Sequence, residues 1–582
     1  MNKIRLFEPI LLTSFLGIIL LACANNKKVV NSNVEQATKP PNKQEIQIDS
    51  LFTPFTKNGS PGVAVLIMRN DSVLLLKNYG LANLEYGVAI DNTSTFHIAS
   101  VSKQFTAFAI ALLAERGKLS LNDNINLYLD SFPQYQAPIT IQNLISHTSG
   151  LREQLDLMAL AGYRSEDVIS SERIMRLIRN QKSLNFEPGT EFQYSNTNYT
   201  LLAKIVENIT HESFSSWTSK NIFTPLKMHN TFFYDDFEKI VKRRSYSYQY
   251  FQDSFRKSTL NYEIIGSTGL FTCTTDLIKW IENFDKPVVG NQETLLLMNK
   301  TGELKDGHKI SYAFGQDNKK YRGLSLIYHP GADAGYRAYI GRFPSEKFVV
   351  TILSNLASTN AEELSMRIAD IYLFKGNFLK PDVSKSFNIE ENKFPKVDDA
   401  VLERYIGSYQ IYPNIALTIT LDSNQLTGQF TGKKTWHLLR PTSDSNFIID
   451  ALQIEIGFKN TGKKAEQLTF SKDGKITSAD RINSSNLDTK NLQQYTGKYF
   501  SGETSTFCSI AKVGNNLVVG QLRNDDITLS PLEKDHFETK AWYFKNIIFI
   551  RNNDNQITGF DITTDKERVR KLSFKKIENI NN

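Results

Sequence analysis

The chain has 582 residues, 40% of them hydrophobic and 11% aromatic, and its 68 Lys and Arg exceed its 61 Asp and Glu to give a formal charge of +7. That is globular composition, enough for one large domain and one or two smaller ones, and it excludes a chain that is disordered throughout. The charge is small for the length and no block of Lys and Arg is interleaved with aromatics, so no nucleic-acid partner is expected.

In chain order, Lys3 and Arg5 precede an apolar run that starts near Leu11, ends at Leu21 and leads to Ala22 and Cys23, the pattern of an export signal. The run is short for an uncleaved membrane helix. Leu20-Leu21-Ala22-Cys23 resembles a bacterial lipobox, which implies cleavage before Cys23, lipidation of that residue and a protein anchored in the cell envelope, facing the periplasm or the exterior. Residues 24–46 are polar, contain Pro40-Pro41 and read as a tether.

Residues 47–378 mix strand and helix signals. The apolar runs 62–68 and 73–79 around Arg69-Asn70-Asp71-Ser72 predict a buried antiparallel hairpin, and 336–343 with 348–354 predict a second. Helical periodicity marks 105–116, 198–209 and 361–372. Strands from both ends of the segment with helices between them give an α+β domain. After a charged, Pro-containing linker at 379–398 the pattern becomes short alternating runs, which is all-β. Leu402, Tyr405, Gly407 and Tyr409 return as Leu492, Tyr495, Gly497 and Tyr499, and Asn446-Phe447 is echoed by His536-Phe537. This predicts two copies of a small β-barrel or meander, at 399–486 and 487–582. Cys273 and Cys508 read as buried free thiols, and no metal-binding spacing appears, so neither metal nor cofactor is implied.

Ser100 stands just before a very apolar helical run, with Lys103 three residues on and Gly117 as its C-terminal cap. Serine becomes a nucleophile when a neighbour takes its proton, and a lysine can do so when burial disfavours its ammonium form. A second Ser-x-x-Lys, Ser254 to Lys257, has polar neighbours and no apolar helix after it, and is set aside. Tyr194 and Asn196 lie two apart in a polar, non-helical entry to the next helix, so a phenol and an amide can face one cleft. The similar Tyr412-Pro413-Asn414 reads as a turn in the β-repeat. His147 reads as structural, and Asp333 as holding a turn, with contact to a substrate amine as the alternative.

Together Ser100-Val-Ser-Lys103, Tyr194-Ser-Asn196 and His329-Pro-Gly331, with the phrases at 144–151, 186–199, 266–280 and 329–344, resemble the class C β-lactamase-like serine hydrolases. That family includes D-alanyl-D-alanine carboxypeptidases, D-aminopeptidases and esterases, and the resemblance covers about residues 50–375. It implies the β-lactamase/penicillin-binding-protein-like transpeptidase fold, an antiparallel sheet flanked by helices, followed here by two barrels like the lipocalin-like ones appended to related hydrolases. It also implies an acyl-enzyme on Ser100, with Lys103 and Tyr194 sharing the proton transfers and Asn196 positioning; which of the two is the main base stays open. The oxyanion would sit between the N–H groups of Ser100 and Ala332, with His329 and Gly331 lining the site and His329 orienting the substrate and the Tyr194 hydroxyl. The expected substrates are small D-amino-acid peptides, amides or esters, peptidoglycan-derived ones among them. The alternatives are a true β-lactamase or an inactive envelope-binding protein, and the oligomeric state stays open. The β-lactamase letters Lys300-Thr301-Gly302 follow a helical run and predict a helix end with Gly302 as a left-handed cap, which leaves His329-Pro330-Gly331 as the third element.

Overall fold

The computed structural model describes residues 42–164, 166–375, 395, 397–412, 415–422, 424–430, 435–459, 464–472, 475–482, 489–521 and 523–577. The expected export signal, Cys23 and tether residues 24–41 lie outside them, as does most of the 379–398 linker and the Pro413-Asn414 pair, while residues 43–46 of the expected tether are helical. In chain order the first part runs α1 (Lys43–Leu51), β1 (Val63–Arg69), β2 (Ser72–Tyr79), β3 (Leu81–Asn83), β4 (Val88–Ala89), β5 (Phe96–His97), α2 (Ser102–Glu115), α3 (Ile141–Ile145), α4 (Gln154–Leu160) and α5 (Ser171–Arg179). It continues through α6 (Asn196–Thr210), α7 (Phe214–Thr218), β6 (Phe232–Phe233), β7 (Tyr248–Phe251), β8 (Ser254–Lys257), β9 (Leu270–Thr272), α8 (Thr274–Asp285) and α9 (Gln292–Met298). β10 (Asp317–Tyr321), β11 (Leu324–Asp333), β12 (Tyr336–Phe343), β13 (Phe348–Ser354) and α10 (Ala361–Leu373) complete it.

β1 is apolar at nearly every position because both its faces are covered. Val63, Val65 and Ile67 pack with α1 and α10, whereas Ala64, Leu66 and Met68 face the larger core around α2. The main sheet is antiparallel in the order β10-β11-β12-β13-β1-β2, so strands from the two ends of the domain meet at β13 and β1. The first hairpin closes through Asn70 and Asp71, both left-handed at φ 49° and 59°, the geometry that suits a two-residue turn between twisted strands. Its second strand is not buried as expected. β2 is the sheet edge, and Val73 and Leu74 are about two-fifths exposed. Twelve residues of α2 are buried, so it is a core helix with no polar stripe.

One sequence expectation changes here. α9 ends at Met298 with Asn299 at its cap, and Gly302 is not a left-handed residue. A Cβ at Gly302 would come 2.7 Å from the Ser146 Cβ, so glycine is there for close approach, with its N–H bonded to the Tyr312 carbonyl. The set-aside Ser254–Lys257 segment is β8 itself, an exposed strand of a hairpin. Cys273 and Cys508 are buried free thiols.

Two closed antiparallel barrels of eight strands follow. The first comprises β14 (Gly407–Tyr412), β15 (Ile415–Asp422), β16 (Gln425–Phe430), β17 (His437–Pro441), β18 (Asn446–Ile449), β19 (Ile454–Lys459), β20 (Gln467–Lys472) and β21 (Lys475–Arg481). The second comprises β22 (Gly497–Ser501), β23 (Thr506–Val513), β24 (Asn516–Gln521), β25 (Ile527–Glu533), β26 (His536–Glu538), β27 (Asn546–Arg551), β28 (Ile557–Thr563) and β29 (Leu572–Ile577). The repeated residues do the same work in each. Tyr409 donates its hydroxyl to the Tyr405 carbonyl at 2.9 Å, and Tyr499 to that of Tyr495 at 2.7 Å. Gly407, at φ 154°, leaves room for Arg481 to cross it, and Gly497, at φ 143°, does so for Lys576.

Candidate active site

β5 leads into a single tight turn, Ala99–Val101, and Ser100 sits on that turn, just before α2, with Lys103 in the helix's first turn. Ala99 is left-handed at φ 49°, a strained position that holds the serine where the chain changes direction. Lys103 is fully buried. Its Nζ lies 3.2 Å from Ser100 Oγ, 2.7 Å from Asn196 Oδ1 and 2.7 Å from the Ser267 carbonyl oxygen. Burial lowers its pKa to about 7, against the opposing pull of Glu153 and Asp333. A neutral amine has two N–H bonds and one lone pair. Asn196 Oδ1 and the Ser267 carbonyl can only accept, so they take the two N–H bonds and the lone pair is left for the Ser100 hydroxyl.

The orientation of Asn196 is fixed from behind. It opens α6 as its first residue, where a non-helical position was expected, and donates Nδ2 to Glu153 Oε1 at 2.9 Å and its backbone N–H to Glu153 Oε2 at 2.5 Å. With the amide nitrogen committed to a carboxylate, the oxygen must face Lys103. Ser267 is delivered by glycines on either side: Gly266 at φ 86° presses on α6, where a Cβ would meet the Tyr199 carbonyl at 2.5 Å. Burial raises the Tyr194 phenol's pKa, while the neighbouring Ser100 side chain pulls it the other way. The Lys103 Nζ lies 4.8 Å from the centre of the Tyr194 ring.

β11 supplies the opposite wall. A Cβ at Gly331 would come 2.3 Å from the Ile98 carbonyl oxygen, so glycine lets this strand run against the chain entering the Ser100 turn. Ser100, Tyr194, His329, Gly331 and Ala332 line one cleft of about 710 Å³. His329 does not bond to the Tyr194 hydroxyl. Its Nδ1–H donates to the Pro330 carbonyl at 2.7 Å, its Nε2 accepts from the Tyr312 hydroxyl at 3.0 Å, and burial pulls its pKa down to about 3. The neutral ring thus meets the Tyr312 hydroxyl in place of the Tyr194 one, while still lining the cleft. Asp333 does not hold a turn either: its carboxylate accepts from the Tyr262 and Thr268 hydroxyls. His147 is buried and left-handed, and its Nδ1 accepts from the Ser195 N–H at 3.2 Å and the Asn198 amide at 3.0 Å, fixing the residue between Tyr194 and Asn196.

The second barrel completes the site. The Glu153 N–H donates to the Arg568 carbonyl at 3.1 Å, Arg152 pairs with Glu503 at 2.7 Å, and Arg568 pairs with Asp156 at 2.9 Å. Leu157 and Leu160 of α4 belong to the second barrel's own buried cluster. Burial raises the Asp156 pKa to about 7 even with Arg568 beside it. Lys566 joins the residues lining the cleft. Sequence reasoning missed Glu153, Ser267, Tyr312 and Lys566. The glycines around Ser267 were a usable signal; the others sit in runs with no local mark. Among the described residues, no group of three or more His, Cys, Asp or Glu is placed to hold a metal ion.

A family model described as Beta-lactamase matches residues 48–373. The chain belongs to the Beta-lactamase family. Its fold is the β-lactamase/penicillin-binding-protein-like one of that serine hydrolase family. Among its relatives, Penicillin-binding protein 4* of Bacillus subtilis (strain 168) is 26% identical over 451 residues, 75% of this chain and 98% of that protein. Protein flp of Staphylococcus aureus (strain MW2) is 28% identical over 56% of this chain, which spans 65% of that protein's length. An octameric penicillin-binding protein homologue from Pyrococcus abyssi superposes with a TM-score of 0.52 at 19% identity, covering 82% of this chain and 98% of that one.

Proposed function

We propose that the protein is an active cell-envelope serine hydrolase that forms an acyl-enzyme on Ser100 with D-amino-acid peptides, amides or esters. The observation that carries this reading is the Lys103 amine, held near neutrality by burial, with two fixed acceptors and its lone pair toward Ser100 Oγ. Ser100 attacks the carbonyl as its proton passes into the Lys103 and Tyr194 pair; the N–H groups of Ser100 and Ala332 face the oxyanion; the pair returns the proton to the leaving group. Water then attacks the ester by the same route in reverse. Asn196 keeps the lysine aimed and Glu153 keeps Asn196 aimed. A substrate panel of D-Ala-D-Ala peptides, D-aminoacyl amides, short-chain esters and cephalosporins, run on wild type and Ser100→Ala, tests it. Ser100-dependent turnover of peptides, amides or esters supports the reading. A folded protein that turns over none of them and takes no Ser100 adduct from a fluorophosphonate would sink it in favour of a binding protein.

The second reading is a β-lactamase. The relative named as a penicillin-binding protein favours acylation by β-lactams, whereas His329-Pro330-Gly331 on β11, where the β-lactamase subfamily carries Lys-Thr-Gly, favours a peptidase or esterase. Rapid Ser100-dependent nitrocefin turnover would reverse this order. The N-terminal pattern ending at Cys23 supports export and lipid anchoring. Cys23→Ser should move the protein out of the membrane fraction, and unchanged partitioning would rule the anchor out.

A further inference from the structure

The loop between β28 and β29 spans residues 564–571 and is clamped onto the hydrolase domain by its own backbone. The Glu567 carbonyl accepts from the Gln193 amide at 3.0 Å, and the Arg568 carbonyl from the Asn185 amide at 2.9 Å and from the Glu153 N–H. Arg570 returns its N–H to Asn185 Oδ1 at 2.8 Å. Lys566 stands at the tip, left-handed at φ 57° and followed by Glu567 at φ 56°. Lys566 is exposed, lines the cleft that holds Ser100, and makes no hydrogen bond or ion pair among the described residues.

The other charges around it are occupied. Glu567 pairs with Arg570, which also pairs with Glu191; Glu362 across the cleft pairs with Lys319. Arg337, the other cation in the cleft, donates to the Ala334 and Tyr336 carbonyls. A lone ammonium carried on a clamped backbone at the wall of the nucleophile's cleft is a point-charge receptor for an anionic group.

We propose that Lys566 is a specificity residue supplied by the second barrel: its ammonium binds a carboxylate carried by the substrate away from the scissile bond, so the enzyme prefers anionic over neutral substrates. This rests on the hydrolase reading above and names the substrate class within it.

The test uses the full chain and two matched pairs, 4-nitrophenyl hemisuccinate against 4-nitrophenyl butyrate for the acyl side and acetyl-D-Ala-D-Ala against its C-terminal amide for the leaving side. The readout is the ratio of kcat/KM for the anionic over the neutral member. Lys566→Glu should lower that ratio by about tenfold or more in at least one pair, with the change in KM; Lys566→Gln should fall between, and Lys566→Arg should keep most of the preference. High salt should shrink the wild-type preference. If wild type is active and Lys566→Glu leaves both ratios within twofold, this inference falls alone. If wild type processes no member of either pair and Ser100 takes no fluorophosphonate, the hydrolase reading falls and takes this inference with it.

Discussion

The two barrels share strand number, strand order and the tyrosine-glycine corner, yet among the described residues it is the second whose loops meet those that support Ser100. The difference lies in two connections. Two residues separate Tyr412 from Ile415 in the first barrel, where the second has 502–505 carrying Glu503. Lys472 to Lys475 is again two residues, where the second has 564–571. The first barrel keeps its conspicuous polar contacts to itself: Arg481 serves the Arg404, Ile406 and Ala465 carbonyls and the Tyr409 hydroxyl. The second spends its added loop residues on Arg152, Glu153 and Asp156. A duplicated fold therefore need not mean a duplicated task, and loop length decides which copy takes one on.

The equivalent core residues Phe447 and Phe537 give the strongest way to break this comparison. Each is buried, and Phe→Ala at either should cost its barrel roughly 3–5 kcal/mol in thermal or denaturant unfolding. Only Phe537→Ala should also lower hydrolysis, because Leu157 and Leu160 share that core; equal activity in the two variants would mean that docking does not reach the site. Glu503→Ala comes next. It leaves Arg152 buried without its carboxylate, and about 3 kcal/mol should be lost, with a double-mutant cycle through Arg152→Ala returning part of it as coupling.

Replacing 564–571 by a two-residue Asn-Gly turn, the length used in the first barrel, should leave both barrels folded by circular dichroism. It frees the Glu153 N–H and should lower kcat by about a hundredfold, the scale expected when a catalytic group is misplaced by an ångström. The mildest change is Glu153→Gln, read from the pH profile. The neutral Lys103 amine is the active form, so kcat/KM should rise with pH through about 7. Glu153 raises the Lys103 pKa, so removing its charge should move that limb to lower pH; a limb that stays put would take Glu153 out of the lysine's electrostatics.

Legibility in the sequence followed range. The hairpin at β12 and β13 and the helices at Ser102 and Ala361 were readable because periodicity and turn residues are local signals. Ser100 and Lys103 were readable because three residues of one helical turn fix their meeting. The burial of β2 was misjudged because an apolar run does not say whether another strand pairs beyond it. His329 was assigned to the wrong tyrosine because the choice between Tyr194 and Tyr312 is made by how β11 meets the loop before β10. Asp333 looked like a turn residue by position, and only the fold brings Tyr262 and Thr268 to it. Glu153 reads as an ordinary helix cap, and it is one, accepting from Leu155; its second duty depends on Asn196, 43 residues on. Lys566 sits in a charged turn that no pattern separates from any other solvated loop.

The hydrogen bond from Arg152 to the Arg570 carbonyl spans 418 residues, and its neighbours in the same loop are of similar reach. Such contacts form late, because the chain between their ends must be made and ordered first. The last two strands of the second barrel close around that loop, so Glu153 acquires its backbone partner only once that barrel has been made. A chain cut between residues 375 and 564 would hold every element of the hydrolase domain and still lack that partner. Closure of the second barrel is what supplies it.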